Sequence, residues 1–497
     1  MLFCKKLGYD ANLVGGGWIF AQKWVTLRAF SRKARKAIKQ LIMNNNLWKS
    51  WVLALLVILA LMGLYFLPKI SVGNTELRRV NILSDVQRRH NDGAPQPVDS
   101  VVVVVEPPAN QDIVPEGMTP IEDFADSAGI NREMDKFYRA LNHAKSRPVR
   151  VAYFGDSFVE GDILTMDLRA MLQKRFGGRG VGFVEVECVT SGFRTSVYAK
   201  SAKWESHHAN DSCCFRSSLQ GIAGSYFIAR DSATMRLFGQ KKLYPSLLDT
   251  AEVATVYFAP SQGLAINAKV NGKPCQLIPQ DNESDSAAVA ASSVEGRIGR
   301  FNMMVRGGGS RFFGVALDAR NGIALDNLSM RGSGGQFIAS IPMTTLKGFA
   351  KLRPYDLIII NFGLNVANRN QTDYSYYAQS MGKAIRHLQK AFPNASILVM
   401  SMGDRGTRGD DGEIHTMPGV RELIGCQRKM ASDCGVAFWS LYEAMGGDGS
   451  IGELVKQRQA NLDYTHINAA GGKRLAALLF DVLMNGKENY DKRTDSK

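Results

Sequence analysis

Three hydrophobic patterns divide the chain. The first is an unbroken apolar run at 51–67, WVLALLVILALMGLYFL, bounded by Lys49 and Lys69. At about 1.5 Å per residue it reaches roughly 25 Å, near the lower limit for a bilayer core. It predicts a transmembrane helix over 51–68. The second pattern is short continuous apolar runs, each followed by helical spacing. VRVAYF at 149–154 leads through Gly155-Asp156-Ser157 to 163–176, where Leu164, Leu168, Met171, Leu172 and Phe176 share one helix face. DLIIIN at 356–361 and SILVM at 396–400 repeat the theme, with helices expected at 374–391, 419–432 and 469–484, and one before the series at 130–145. The third pattern fills 196–314. There, short β-prone pieces are separated by Gly, Asn, Asp and Ser, and Asn271-Gly272 is a hairpin signal.

These patterns imply an α/β fold with a parallel sheet, interrupted by an all-β module. The expected organisation is a basic segment at 1–50, the membrane helix at 51–68 and a Pro-rich linker at 69–121. The α/β domain follows in two parts, 122–195 and 315–486, around the insert at 196–314, with a polar, disordered tail at 487–497. Met43 opens MNNNLWKSW and offers an alternative start to Met1.

Charge changes the picture at one end. The net charge is +15, yet residues 1–50 hold ten Lys or Arg against Asp10 alone. A cationic cluster ahead of an apolar run reads as a topology signal, which keeps it cytoplasmic and sends the rest outside. That argues against nucleic acid as a partner. A cleaved signal peptide is the alternative, but no small-x-small site follows the run. The expected location is therefore the inner membrane, single-pass, with the C-terminal part in the periplasm.

Six cysteines follow the apolar run, which permits disulfides in an oxidising compartment. Cys426 and Cys434 are the nearest candidate pair, with buried free thiols as the alternative. His207-His208 with Cys213-Cys214 lacks a standard zinc spacing, so no metal is expected. Gly177-Gly178-Arg179-Gly180-Val181-Gly182 follows a helix instead of preceding one, which excludes a dinucleotide loop.

Four short blocks can carry chemistry. Ser157 ends a buried strand where the chain turns toward a helix, at the sheet edge where ligands bind in open α/β folds. Asp463 precedes His466 by three residues and can bend back onto one imidazole nitrogen, leaving the other to accept a serine proton. Asn365 follows the DLIIIN strand and can present its amide over the same edge. Gly332, after the 322–325 run, allows a backbone N–H to approach a developing oxyanion; Gly192 competes for that role. Asp404-Arg405 and His415 are further candidates for lining the site, or else solvated loop residues.

In this order the blocks resemble the SGNH (GDSL-like) hydrolase superfamily. Phe154-Gly155-Asp156-Ser157, the loop ending at Gly332, Gly363-Leu364-Asn365 and Asp463-Tyr464-Thr465-His466 correspond to its four motifs. The resemblance implies a flavodoxin-like three-layer fold, Ser157 as nucleophile and His466 as general base oriented by Asp463. It further implies an oxyanion hole from the N–H groups of Ser157 and Gly332 with the Asn365 amide, and no cofactor. Two features depart from the pattern: Val366 stands where an acid is usual, and the insert stretches the gap between Ser157 and Gly332. The run 155–183 is similar to the opening of peptidoglycan O-acetylesterases, whose own β module binds carbohydrate. An acylated polysaccharide is therefore the expected substrate. Transfer of the acyl group to a sugar, beside a membrane acyltransferase, and silent glycan binding are the alternatives.

Overall fold

The run VRVAYF becomes the core of strand β2 (Pro148–Gly155), whose last five residues are all buried. It lies inside a six-stranded sheet with β1 (Ile121–Asp123), β3 (Gly322–Ser329), β4 (Leu357–Asn361), β5 (Ser396–Met400) and β6 (Ala437–Trp439). The spatial order is β3-β2-β4-β5-β6-β1. Neighbours are parallel except at the β6–β1 edge. Every residue of β4 and β5 is buried, as expected for strands covered on both faces. Taken in chain order, the five parallel strands are arranged second-first-third-fourth-fifth, so the crossover direction reverses beside β2. Ligands bind at such a reversal in open α/β sheets.

The computed structural model describes residues 51–53, 55–57, 71–72, 75–76, 108, 112–125, 132–187, 194–211, 214–280, 288–307 and 309–495. They fall in two compact units, 1–98 and 99–497. In the first, residues 51–53 and 55–57 are helical, and Ser71–Val72 pairs with Thr75–Glu76. No helix among the described residues is long and apolar enough to cross a membrane. This corrects the transmembrane helix expected over 51–68. The basic segment 1–50 lies outside the described residues.

In the second unit, the helices are α1 (Asp135–Asn142), α2 (Thr165–Phe176), α3 (Met343–Leu352), α4 (Ser375–Ala391), α5 (Val420–Cys434), α6 (Leu441–Met445), α7 (Ser450–Lys456) and α8 (Ala469–Asp495). Helices α3, α4 and α5 pack side by side, while α8 packs on α1 and α2. Right-handed crossovers on either side of β2 place these groups on opposite faces of the sheet. Helix α8 also corrects the disordered tail expected after Gly486. Polar residues continue the helix to Asp495 because they find partners: Lys487 pairs with Asp491 at 2.5 Å, and Arg493 with Asp112 and Asp135 at 2.6 and 2.7 Å. Tyr490 packs on Tyr138, ring centroids 6.1 Å apart.

Between α2 and β3 the chain builds a ten-stranded antiparallel sheet with its own apolar core, including Phe227, Leu237, Val256, Phe301 and Val315. The strand Gly182–Glu185, upstream of the expected start at 196, already pairs with Arg311–Asp318 of this sheet. Two buried charge clusters tie the sheet to the α/β core. Asp162 binds Arg169, Arg194 and Ser196, and Arg353 binds Asp318 and Asp326.

Cys426 and Cys434 are free. Eight positions apart on α5, they are separated by a rise of about 12 Å, beyond the roughly 7 Å limit for a bridge. The expected pairing is corrected accordingly. Cys434 Sγ instead lies 3.3 Å from Arg386 Nη1, and Cys426 Sγ 3.4 Å from the Tyr374 carbonyl. Gly192, Cys188 and Cys213 lie outside the described residues.

Candidate active site

Register decides which loops meet. Ser329 of β3 and Asn361 of β4 both lie level with Gly155 of β2. The segments leaving these three strands therefore emerge side by side at the carboxyl edge. They carry Ser157, Gly332 and Asn365.

The Ser157 turn is held at several points. The Asp156 carboxylate accepts N–H from Phe158 at 3.0 Å, and from Gly363 and Leu364 at 3.1 Å each. One side chain thus joins the serine turn to the Asn365 loop. Asn327, on β3, donates to the Val159 carbonyl and to Thr165 Oγ1, both at 2.8 Å. The Gly155 carbonyl accepts N–H from Met330 at 2.8 Å, which ties in the third loop.

Beyond Met330, Gly332 adopts φ +74°, a conformation that disfavours other residues. Asn365 donates its amide to the Ser333 carbonyl at 3.1 Å, so the second and third blocks are joined. One amide hydrogen of Asn365 remains for a ligand. Val366, where an acid is usual, lies against Gly334: its Cγ2 would be 3.0 Å from a Cβ there. An apolar contact occupies the place of the acid.

His466 arrives from the far end of the chain. Asp463 Oδ1 accepts the N–H groups of Thr465 and His466, each at 3.0 Å, forming a closed turn. Its Oδ2 lies 2.8 Å from His466 Nδ1. On the opposite side of the ring, Nε2 is 2.9 Å from Ser157 Oγ. Burial pushes the Asp463 carboxyl up, but the N–H groups and ring of His466 outweigh it and hold the group below its ordinary value. An ionised Asp463 keeps the Nδ1 proton in place and leaves Nε2 free to accept.

Two devices aim this loop. Asn468 Oδ1 caps α8, accepting N–H from Ala470 at 3.0 Å and Gly471 at 3.3 Å. At Gly472 the helix passes so close to the chain before α2 that a Cβ would lie 2.0 Å from the Ile163 carbonyl oxygen. Asn468→Ala is expected to cost about 1 kcal/mol of stability, read from urea denaturation.

Asp156 carries a pH signature. Burial pushes its carboxyl up to about 6, against the pull of its three N–H donors and His466. An unfolded aspartate titrates near ~3.9, so the native state binds this proton more tightly. Its contribution to stability is full below about pH 4 and is lost as pH rises through about 6. Asp156→Asn is expected to remove that slope from the pH dependence of Tm. Because Asn cannot accept all three N–H groups, kcat/KM for ester cleavage should also fall about 10- to 100-fold.

The remaining candidates separate cleanly. Asp404 is buried beneath the edge and accepts from Thr416 at 2.8 Å and from the Ile451 N–H at 2.9 Å. Arg405 donates to the carbonyls of Leu364 and Ala367 at 3.2 and 3.3 Å, bracing the Asn365 loop. His415 is exposed and pairs with Asp411 at 2.7 Å. The glycine-rich stretch is bonded within the protein: the Gly177 carbonyl accepts from Ile323 N at 2.8 Å, and the Gly180 carbonyl from Gln173 at 3.1 Å. His207 stacks on Tyr226, centroids 4.5 Å apart. Among the described residues, no group of three or more His, Cys, Asp or Glu could hold a metal.

Sequence reasoning assigned no role to Asp156, Glu160 or Asn210. Asp156 sits inside the motif next to the serine, which was a usable signal. Asn210 belongs to the inserted sheet and gave none.

Residues 292–474 match the GDSL-like lipase/acylhydrolase family. That span, under half of the chain, includes Gly332, Asn365, Asp463 and His466 but begins after Ser157. Among solved structures, a peptidoglycan O-acetylesterase aligns with 20% identity and a TM-score of 0.60, over 74% of this chain and 99% of its own. A family two carbohydrate esterase from Clostridium thermocellum aligns with 13% identity over 57% of this chain and 98% of its own, at a TM-score of 0.25. A carbohydrate acetylesterase, Est24 from Sinorhizobium meliloti, aligns with 18% identity over 32% and 77%, at 0.23. No curated protein matches the chain.

Proposed function

We propose that this protein, an SGNH-type hydrolase that carries a GDSL-like acylhydrolase domain and acts on ester bonds, removes acetyl groups from an O-acetylated polysaccharide of the cell envelope. The observation that carries the reading is the Ser157–His466–Asp463 relay, with contacts of 2.9 and 2.8 Å, at the sheet edge where Asn365 also stands. The fold shared with a peptidoglycan O-acetylesterase supports acetyl and glycan as the two halves of the substrate. Such a polysaccharide lies outside the cytoplasm, and the proposal places the enzyme there with it.

The steps follow from the geometry. Ser157 Oγ attacks the acetyl carbonyl while its proton passes to His466 Nε2. The N–H groups of Ser157 and Gly332 and the free Asn365 amide hydrogen take the negative charge on the carbonyl oxygen. The imidazolium then gives its proton to the departing sugar oxygen, leaving an acetyl-enzyme. Water attacks that ester with His466 again as base, and acetate leaves.

Acetate release tests the reading. The full chain is incubated with O-acetylated peptidoglycan and with acetylated xylan, and a brief quench is examined by mass spectrometry. The expected result is free acetate from at least one glycan and a 42-Da adduct, on the order of one acetyl group, on the peptide containing Ser157. No acetate from either glycan would sink the polysaccharide assignment. Acetylation of an added oligosaccharide, with less free acetate than the ester lost from the donor glycan, would mean transfer in place of hydrolysis.

A further inference from the structure

Beside the Ser157–His466 pair lies a carboxylate that these steps leave unused. Glu160 stands three residues after Ser157, in the single-turn helix Glu160–Asp162, and is only 5% exposed. Its Oε1 pairs with Arg331 Nη2 at 3.0 Å. Its Oε2 is buried and has no hydrogen-bond partner among the described residues. Native proteins seldom leave such an oxygen without a donor, and a charged one is costlier than a neutral one.

Its surroundings connect this carboxyl to the catalytic loops. Burial pushes the Glu160 carboxyl up, while the charges of Arg331 and His466 draw it down, so Glu160 lies within electrostatic reach of the catalytic ring. Arg331 immediately precedes Gly332. Its carbonyl accepts the Asn210 amide, delivered by the loop after strand Val197–His208 of the inserted sheet. The same Asn210 nitrogen lies 3.7 Å from where a Gly332 Cβ would stand. A carboxylate from the serine turn, a guanidinium from the Gly332 loop and an amide from the insert therefore meet around the loops that carry Ser157 and Gly332.

We propose that Glu160, oriented by Arg331 and bordered by Asn210, is a subsite that recognises the sugar ring bearing the ester. Glu160 Oε2 accepts a hydrogen bond from a donor on that ring. The proposal rests on the deacetylase reading above. Two donors share the required chemistry, a ring hydroxyl and an acetamido N–H. An ester without a sugar offers neither, so the subsite discriminates glycan esters from simple ones. Charge-assisted hydrogen bonds carry about tenfold to a hundredfold in affinity.

Kinetics of the full chain test this on three esters: p-nitrophenyl acetate, acetylated xylo-oligosaccharide and O-acetylated peptidoglycan fragments. For Glu160→Gln, kcat/KM on a glycan ester is expected to fall at least about tenfold, mainly through KM. On p-nitrophenyl acetate it should fall by no more than about threefold, since that ester has no donor to place. Loss on both glycans assigns the donor as a hydroxyl; loss on the peptidoglycan fragments alone assigns it as the amide. Equal losses on all three esters, or less than about twofold loss on both glycans, overturn the subsite. A wild-type protein that cleaves p-nitrophenyl acetate but neither glycan overturns the substrate class, and the subsite with it. Calorimetric binding of acetylated oligosaccharide to Ser157→Ala and to Ser157→Ala/Glu160→Gln is a second measurement. Equal affinities there overturn the subsite whatever the kinetics give.

Discussion

Ser157→Ala is expected to lower kcat for acetate release by about 10⁴- to 10⁶-fold while leaving Tm within a degree or so. The hydroxyl is small, and it bonds to His466 Nε2, at 2.9 Å. Its removal therefore takes away chemistry and little packing. His466→Ala should cost a similar factor, because without the base the hydroxyl keeps its proton. The double variant should be hardly worse than either single one, since the two residues act as a unit. Asp463→Asn should cost less, about 10²- to 10⁴-fold, because it disturbs the tautomer of His466 and not the attacking atom. Stopped assays on p-nitrophenyl acetate and on acetylated glycan read all four. A Ser157→Ala variant retaining more than about a tenth of wild-type kcat would remove Ser157 as nucleophile.

The largest effect on stability is expected at Arg353, far from the reacting atoms. Arg353 is fully buried and spans two carboxylates: Asp326 at 2.6 Å on both oxygens, and Asp318 at 2.6 Å. Asp326 also accepts the Phe183 N–H at 2.8 Å and the Tyr355 hydroxyl at 2.7 Å. Arg353→Met should lower the free energy of unfolding by about 3–5 kcal/mol, because two desolvated carboxylates lose their counter-charge. Burial pushes Asp326 up, but Arg353 outweighs it and holds the carboxyl below its ordinary value. The stability it contributes is therefore present above about pH 4 and is lost as pH falls through its lower native value. The gap between wild type and variant, measured by guanidinium denaturation, should be wide at pH 7 and shrink below about pH 4. A gap that stays constant with pH would mean that lost packing, not charge, is responsible. Activity should decline as well, since Asp326 neighbours Asn327, which fastens the Ser157 turn.

What could be read in advance follows how local each feature is. The Asp463–His466 turn spans four residues and closes through its own backbone N–H groups, so the motif itself implies the geometry. VRVAYF, DLIIIN and SILVM were legible as buried strands because burial on both faces demands unbroken apolar runs. The apolar run at 51–67 suggested a membrane helix through its length, but no helix among the described residues is long and apolar enough to cross a membrane. The helix beyond Gly486 was illegible because its polar residues are held by Asp112 and Asp135, more than three hundred and fifty positions away. Asn210 and Glu160 left no trace in any pattern; their significance comes from Arg331, which meets each from a different segment.

The amino-acid sequence by itself determined the alternation of strands and helices, the β character of the insert, and the residue types able to move a proton and attack a carbonyl. Those depend on side-chain periodicity and on contacts a few residues apart. The tertiary structure alone decided that Ser157 meets His466 across 309 positions, and that Gly155, Ser329 and Asn361 lie level. It alone brought Asn210 of the insert to the loop that carries Gly332. Such meetings depend on strand order and register, which arise from packing the whole sheet at once and leave no periodic signal in the chain.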